Sequence, residues 1–550
     1  MRPDFAEGVL HGHAAMHDRT QFEVTFTYDV SAANMSQDKN VERYRIEAFY
    51  FFPNNMGVTS LNFPREDFYR SLHGYIRFKT PIMAPRELLD PLNRQSPLNL
   101  LSFVLKRHMM GERLDAEEAE KEARLFGCVV SSLFKHHAGV TLHALEGSRG
   151  EASRWAEFEG LLFDFTASAC ELLERYRALL RDFRDVAQRQ APELWSHLRQ
   201  VDEYLTYRFD DTLSELHFHL MAACVAPDDT ERLASRLRAI AEQEGRHRSQ
   251  AGYIALTPGD EENLALYTYR ASALKKLVER VLYLDVKTIQ ETTRWRNLAA
   301  AAGATLAATF MAFSRHQWSA QLNSHWLFLA IIAYAFLYMV KDRIKEILRE
   351  YVWKRVSSFF PDNRLLVHDP TKHLDIGQST ERTQYLQKSS LPKDVLLVRN
   401  FDHTIDLDEE RAETVILYQS DVRLNGREIL NGHQRRTHLK HILRFSVEDL
   451  LARMDNPTVR VRFYDAASRV FCRLRAPKVY HMNVVFRFTR WNDRNQAAEP
   501  TYQRVRVVLD KNGIRHIDQV VDAGRVQELT HRVPKRPSED LIRLEEERLS

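Results

Sequence analysis

Hydrophobic and polar residues alternate early in the chain with the period of a strand. Phe22, Val24, Phe26 and Tyr28 are separated by polar residues, so one apolar set lies on a single sheet face. Residues 41–52 read as a second strand, and Pro53-Asn54-Asn55 as the turn that ends it. Residues 63–72 read as a short helix opened by Pro64. Together they predict a small α+β unit over 1–95.

From Pro97 the period becomes helical. Asp115 is suited to cap a long helix with Leu125, Val129, Leu133 and Phe134 on one face. Segments 151–189, 192–223 and 230–245 repeat the pattern, which predicts a helical bundle over 96–250. A further helix from Asp260 carries Leu266, Leu274, Leu277, Val281 and Leu284. It is expected to run on as one arm of a stalk over 260–360.

The stalk would lead into two uncharged stretches, about 297–314 and 322–340. The first, at about 1.5 Å per residue, reaches roughly 27 Å, close to the hydrocarbon thickness of a bilayer. Lys275, Lys276, Arg280, Lys287, Arg294 and Arg296 precede it, and Lys341, Arg343, Lys345, Arg349, Lys354 and Arg355 follow the second stretch. The loop between them has Arg315 as its only full charge. This asymmetry predicts a two-span transmembrane helical hairpin in a bacterial inner (plasma) membrane, with both termini cytoplasmic. The first stretch is rich in small residues. Ala299, Gly303 and Ala307, and Ala300, Ala304 and Ala308, recur at a spacing that lets a second helix approach closely.

Beyond the stalk the pattern returns to strands. Residues 395–399, 415–418, 459–463, 470–474, 484–488 and 505–509 are the candidates, with a short helix over 447–454. They predict a mainly-β domain over 365–530, followed by a charged tail over 531–550. The expected fold class is thus an α+β multidomain membrane protein.

Composition adds limits. The 550 residues are 44% hydrophobic and 28% charged, enough for several units with cores of their own. The net charge of +3 does not mark the whole chain as a nucleic-acid binder. Cys128, Cys170, Cys224 and Cys472 are far apart, which speaks against a disulfide scaffold or a zinc ribbon. Gly-x-x-x-x-Gly-Lys-Ser/Thr, Gly-x-Gly-x-x-Gly and Gly-x-Ser-x-Gly are missing, which disfavours P-loop, Rossmann and α/β-hydrolase enzymes. His433, His438 and His441 are read as placing two imidazoles on one helical face. His217 with His219, and His136 with His137, are neighbours by chance in a chain with 23 histidines. The acids at 402, 406 and 408–410 read as a solvated turn. Catalytic residues, a metal site and a cofactor are not expected.

The best candidate surface is basic. Arg460 and Arg462, Arg473 and Arg475, Arg487 and Arg490, and Arg504 and Arg506 alternate along four predicted strands. Between Arg453 and Arg515 there are 14 Lys plus Arg against 5 Asp plus Glu, an excess of 14 − 5 = 9. Such a face suits lipid headgroups or an acidic protein partner. Nucleic acid is disfavoured, because Phe463, Phe471, Phe486 and Phe488 read as buried and not as stacking platforms. The expected function is a self-associating, membrane-anchored scaffold or sensor, a homo-oligomer with cytoplasmic domains. An oligomeric channel, with the Ala-rich span at a pore or packing axis, is the alternative. A long stalk before a two-span hairpin resembles the CorA-type magnesium channels, but their Gly-Met-Asn loop is missing and a large domain follows. An enzyme with a site assembled from distant residues is the third reading.

Overall fold

The computed structural model describes residues 12–29, 41–147, 152–223, 227–257, 259–289, 361–400, 413–432, 435, 438–491, 497 and 499–521, with isolated positions at 301, 305, 308, 309, 339 and 343. The chain divides into two units. The β unit comprises Met1–Ile76, Leu284–Gly432 and Thr437–Ser550, and the helical unit Arg77–Tyr283 with His433–Arg436.

The β unit carries fourteen described strands: β1 Gly12–Met16, β2 Gln21–Asp29, β3 Val41–Pro53, β4 Leu72–Phe78, β5 Asp285–Ile289, β6 Asn363–Asp369, β7 Leu374–Leu386, β8 Glu413–Asn425, β9 His438–Ser446, β10 Thr458–Asp465, β11 Val470–Pro477, β12 Tyr480–Trp491, β13 Thr501–Asp510 and β14 Gly513–Val521. Eight form one antiparallel sheet in the order β14-β13-β12-β3-β8-β7-β6-β5. Four form a second sheet, β1-β2-β9-β4. The sheets face each other through aromatic side chains. Phe26 meets Phe486 at 5.3 Å, Tyr28 meets Tyr44 at 5.1 Å, and Tyr50 meets Phe445 at 5.0 Å between ring centroids. β10 and β11 belong to neither sheet and form a two-stranded ribbon of their own.

The sequence pattern places the first strands and the last ones in separate domains. In the structure they share both sheets. β3 lies between β12 and β8, with Tyr50 opposite Val484 on one side and Ile416 on the other. Period-two alternation identifies a strand but carries no information about its partner. The run Ala48-Phe49-Tyr50-Phe51-Phe52 is buried throughout because β3 is covered on both faces. Phe49 and Phe51 pack away from the second sheet, in a cluster with Val395, Val398 and Tyr502.

Residues 395–399, expected as a strand, lie in a helix, Lys393–Arg399. Pro392 stands at its N-cap, Asp394 lies in its first turn, and Val395 and Val398 are buried together three residues apart. Such a short apolar run fits either period, and the preceding proline decides it. This helix is α9 in chain order. Arg487 clamps it to the sheet, donating from Nε and Nη2 to Glu47 at 2.7 and 2.8 Å and from Nη1 to Asp394 at 3.2 Å.

Helix α1, Arg65–Ser71, belongs to the β unit, and the helical unit contains α2 Pro85–Leu89, α3 Pro97–Met109, α4 Ala116–Gly147, α5 Ala152–Gln190, α6 Pro192–Ala223, α7 Pro227–Ala251 and α8 Glu261–Glu279. Asp115 caps α4, accepting the Glu118 N–H at 3.0 Å. Gly127 lets α6 and α8 come close. A Cβ there would lie 2.9 Å from Val278 and 3.1 Å from Val201. Arg177 on α5 joins three helices, reaching Asp202 and Thr206 on α6 and Glu244 on α7 at 2.7–3.1 Å.

The transmembrane expectation is corrected. Among the described residues no helix is long and apolar enough to cross a membrane. α5 is 39 residues long, but Glu171, Glu174, Arg175, Arg177, Arg181 and Asp182 punctuate it at nearly every turn. The stalk is also broken: α8 ends at Glu279, a short turn of 3-10 helix covers Arg280–Leu282, and β5 then pairs with β6. The spans drawn over 297–314 and 322–340 lie outside the described residues, apart from helical and exposed positions Ala301, Thr305, Ala308, Thr309 and Met339. So do the packing residues Ala299, Ala300, Gly303, Ala304 and Ala307. The supported class is α+β with several sheets and helices. The finding speaks against the expected transmembrane hairpin, inner-membrane location and two-span topology.

Candidate anion-binding ribbon

The eight arginines separate into two groups. Four are absorbed by the large sheet. Arg487 is the clamp on α9. Arg490 lies 5.2 Å over the ring of Tyr28. Arg504 is 4% exposed and donates to Asn483 Oδ1 at 3.0 and 3.2 Å. Arg506 is ion-paired to Asp518 at 2.9 Å. These side chains fasten the fold.

The other four gather on the ribbon. Arg460 is directly opposite Arg475, and Arg462 is directly opposite Arg473. Residues two apart share a face, so the four guanidinium groups form two adjacent rows on one side. All are exposed, and among the described residues none forms an ion pair or hydrogen bond. The next row on that face is Tyr464 opposite Phe471, with ring centroids 5.1 Å apart. Tyr464 is 51% and Phe471 83% exposed. Phe486 and Phe488 are buried, as the pattern suggests, but Phe463 and Phe471 are not.

The opposite face is apolar. Val459 faces Ala476, Val461 faces Leu474, and Phe463 faces Cys472. Each strand has eight residues, about 26 Å in length. The distal turn is held by Asp465, which accepts from Ala467 N at 3.1 Å and from Ser468 Oγ at 2.5 Å, and Arg469 takes the left-handed conformation at φ 56°. At the base, Lys478 N donates to Pro457 O at 2.9 Å.

Like charges directly opposed in an antiparallel pair destabilise it. Two such pairs, with no acid paired to them among the described residues, leave a cationic patch whose repulsion falls when an anion settles on it. Sequence alternation locates the arginines on shared faces. It does not show that β10 and β11 stand apart from the sandwich. Pro457 and Pro477, which flank the hairpin, are the available signal, because proline ends strand pairing.

The histidines are placed differently from expectation. His441 lies in β9, a strand and not a helix, with its ring buried and Nδ1 3.2 Å from the Tyr44 hydroxyl. His433 and the acids at 402–410 lie outside the described residues. Among the described residues there is no group of three or more His, Cys, Asp or Glu placed to hold a metal ion. In the helical unit an open groove of about 830 Å³ runs between α2–α3 and α5, lined by Leu98, Phe103, Lys106, Arg175, Leu179 and Asp182 among others.

No family model, no curated protein and no solved structure matches the chain. The ribbon's own chemistry therefore carries the functional argument.

Proposed function

We propose that the protein is a non-catalytic binding scaffold whose β unit engages a polyanion through the arginine face of the β10–β11 ribbon. The observation that carries this is the pairing of Arg460 with Arg475 and of Arg462 with Arg473, exposed and, among the described residues, without counter-charge. Arginine suits the task because its planar fork meets phosphate, sulfate or carboxylate with two parallel hydrogen bonds. The apolar face supports self-association as the other half of a scaffold. Val461 and Leu474 are 41% and 57% exposed, and a second copy laid against them would bury both faces while keeping all the arginines outward.

The test is retention on immobilised heparin, a polyanion without bases. The Arg462→Gln/Arg473→Gln double variant is expected to elute at clearly lower salt than the wild type, with an unchanged far-UV spectrum. Equal elution would sink the reading. The positions are exposed, so loss of binding would not come from a damaged core.

A further inference from the structure

We infer that the polyanion taken by this ribbon is a single-stranded nucleic acid. The inference rests on the reading above and narrows it. The face does not end with its arginines: Tyr464 and Phe471 form the next row, about 7 Å further along the strands. Two large rings, one of them 83% exposed, sit outside any core and touch each other at 5.1 Å. Among the described residues neither ring is buried, so the folded β unit does not call for them there.

Charge alone would serve a sulfated sugar, a polyphosphate chain or an acidic peptide, and would leave the two rings unused. A nucleic acid uses both parts. Its phosphates meet Arg460, Arg462, Arg473 and Arg475, and its bases stack on Tyr464 and Phe471. Base stacking on aromatic side chains is tolerant of sequence because every base has a π-face. The guanidinium groups can themselves stack on bases as well as pair with phosphates. The strand must be single, because a duplex hides its base faces inside its own stack. Asp465, the nearest acid in the ribbon, belongs to the opposite face, and its oxygens are engaged by the turn. It offers little repulsion to the phosphates.

The experiment measures fluorescence anisotropy of labelled oligothymidylate and oligouridylate, with polyphosphate, polyglutamate, anionic vesicles and the matching duplex as separate arms. The wild type is expected to bind the single strands more tightly than any other arm, with affinity falling steeply as salt rises. The Tyr464→Ala/Phe471→Ala variant is expected to bind single strands roughly ten-fold or more weakly, with polyphosphate binding unchanged. The Arg462→Gln/Arg473→Gln variant is expected to lose both. The DNA and RNA arms show which sugar is preferred. Binding of polyphosphate with no loss on removing the rings would overturn the nucleic-acid inference and leave the polyanion reading standing. So would duplex, polyglutamate or vesicle binding as tight as single-strand binding. Failure to bind any anion would overturn both.

Discussion

His441 shows how a residue's meaning depends on its neighbours. Its ring is 6% exposed and its Nδ1 meets the Tyr44 hydroxyl. Burial pushes its pKa down from 6.5 to about 4. The folded state therefore binds fewer protons than the unfolded one between those values. Stability should rise with pH through that window and be lost as pH falls, by about 3 kcal/mol at full extent. His441→Gln, which cannot titrate, is expected to flatten this part of the profile. Urea midpoints from pH 4 to 7 would show it, and an unchanged slope would tell against it. Glu381 works in the opposite sense: burial, and to a lesser degree Asp362, raise its pKa against the hydrogen bonds of Tyr418 and Asn363. Its protonation favours the folded state at low pH, so the His441 effect is read from the difference between variant and wild type. The same dependence on neighbours limits what the sequence shows. Arg460 and Arg504 both stand beside valines in strand-like runs, yet one is exposed on a ribbon and the other is buried against Asn483.

Among elements, the long helices were legible because their stripes persist over many turns. α4, α5 and α6 fall close to the expected segments. Short elements were not. The helix at Lys393–Arg399 and the strand at Asp285–Ile289 each span too few residues to establish a period. The helices are also tied by charge. Arg177 is the shared partner of buried Asp202 and Glu244, so its removal strips Glu244 of this cation and leaves Asp202 with His247 and Tyr253. Arg177→Met is expected to destabilise the helical unit by about 3–5 kcal/mol. Arg107→Met, which removes an exposed pair with Glu112, should leave stability almost unchanged. Urea unfolding of the two variants checks the contrast, and equal losses would mean the Arg177 network is not holding the helices.

At the scale of the molecule, the β unit joins strands from the two ends of the sequence, while the ribbon depends on none of them. Deleting residues 458–477 and closing the gap with an Asn-Gly turn should leave one cooperative thermal transition with little change in midpoint. The same variant should lose heparin retention, and light scattering should report a smaller assembly than the wild type. A broad transition or insoluble protein would show that the ribbon supports the sandwich after all. Whole-molecule topology was the least legible level in the sequence. A change of period suggests a domain boundary, whereas β3 crosses those changes to pair with β8 and β12.

The hydrogen bond from Lys478 to Pro457 brings the two ends of the ribbon together. A segment that leaves and returns at one point is portable. It can be spliced into the turn of an unrelated hairpin without asking its new host to repack. Recognition of this kind can be acquired or discarded in one insertion or deletion, and the core that carries it need not evolve in step.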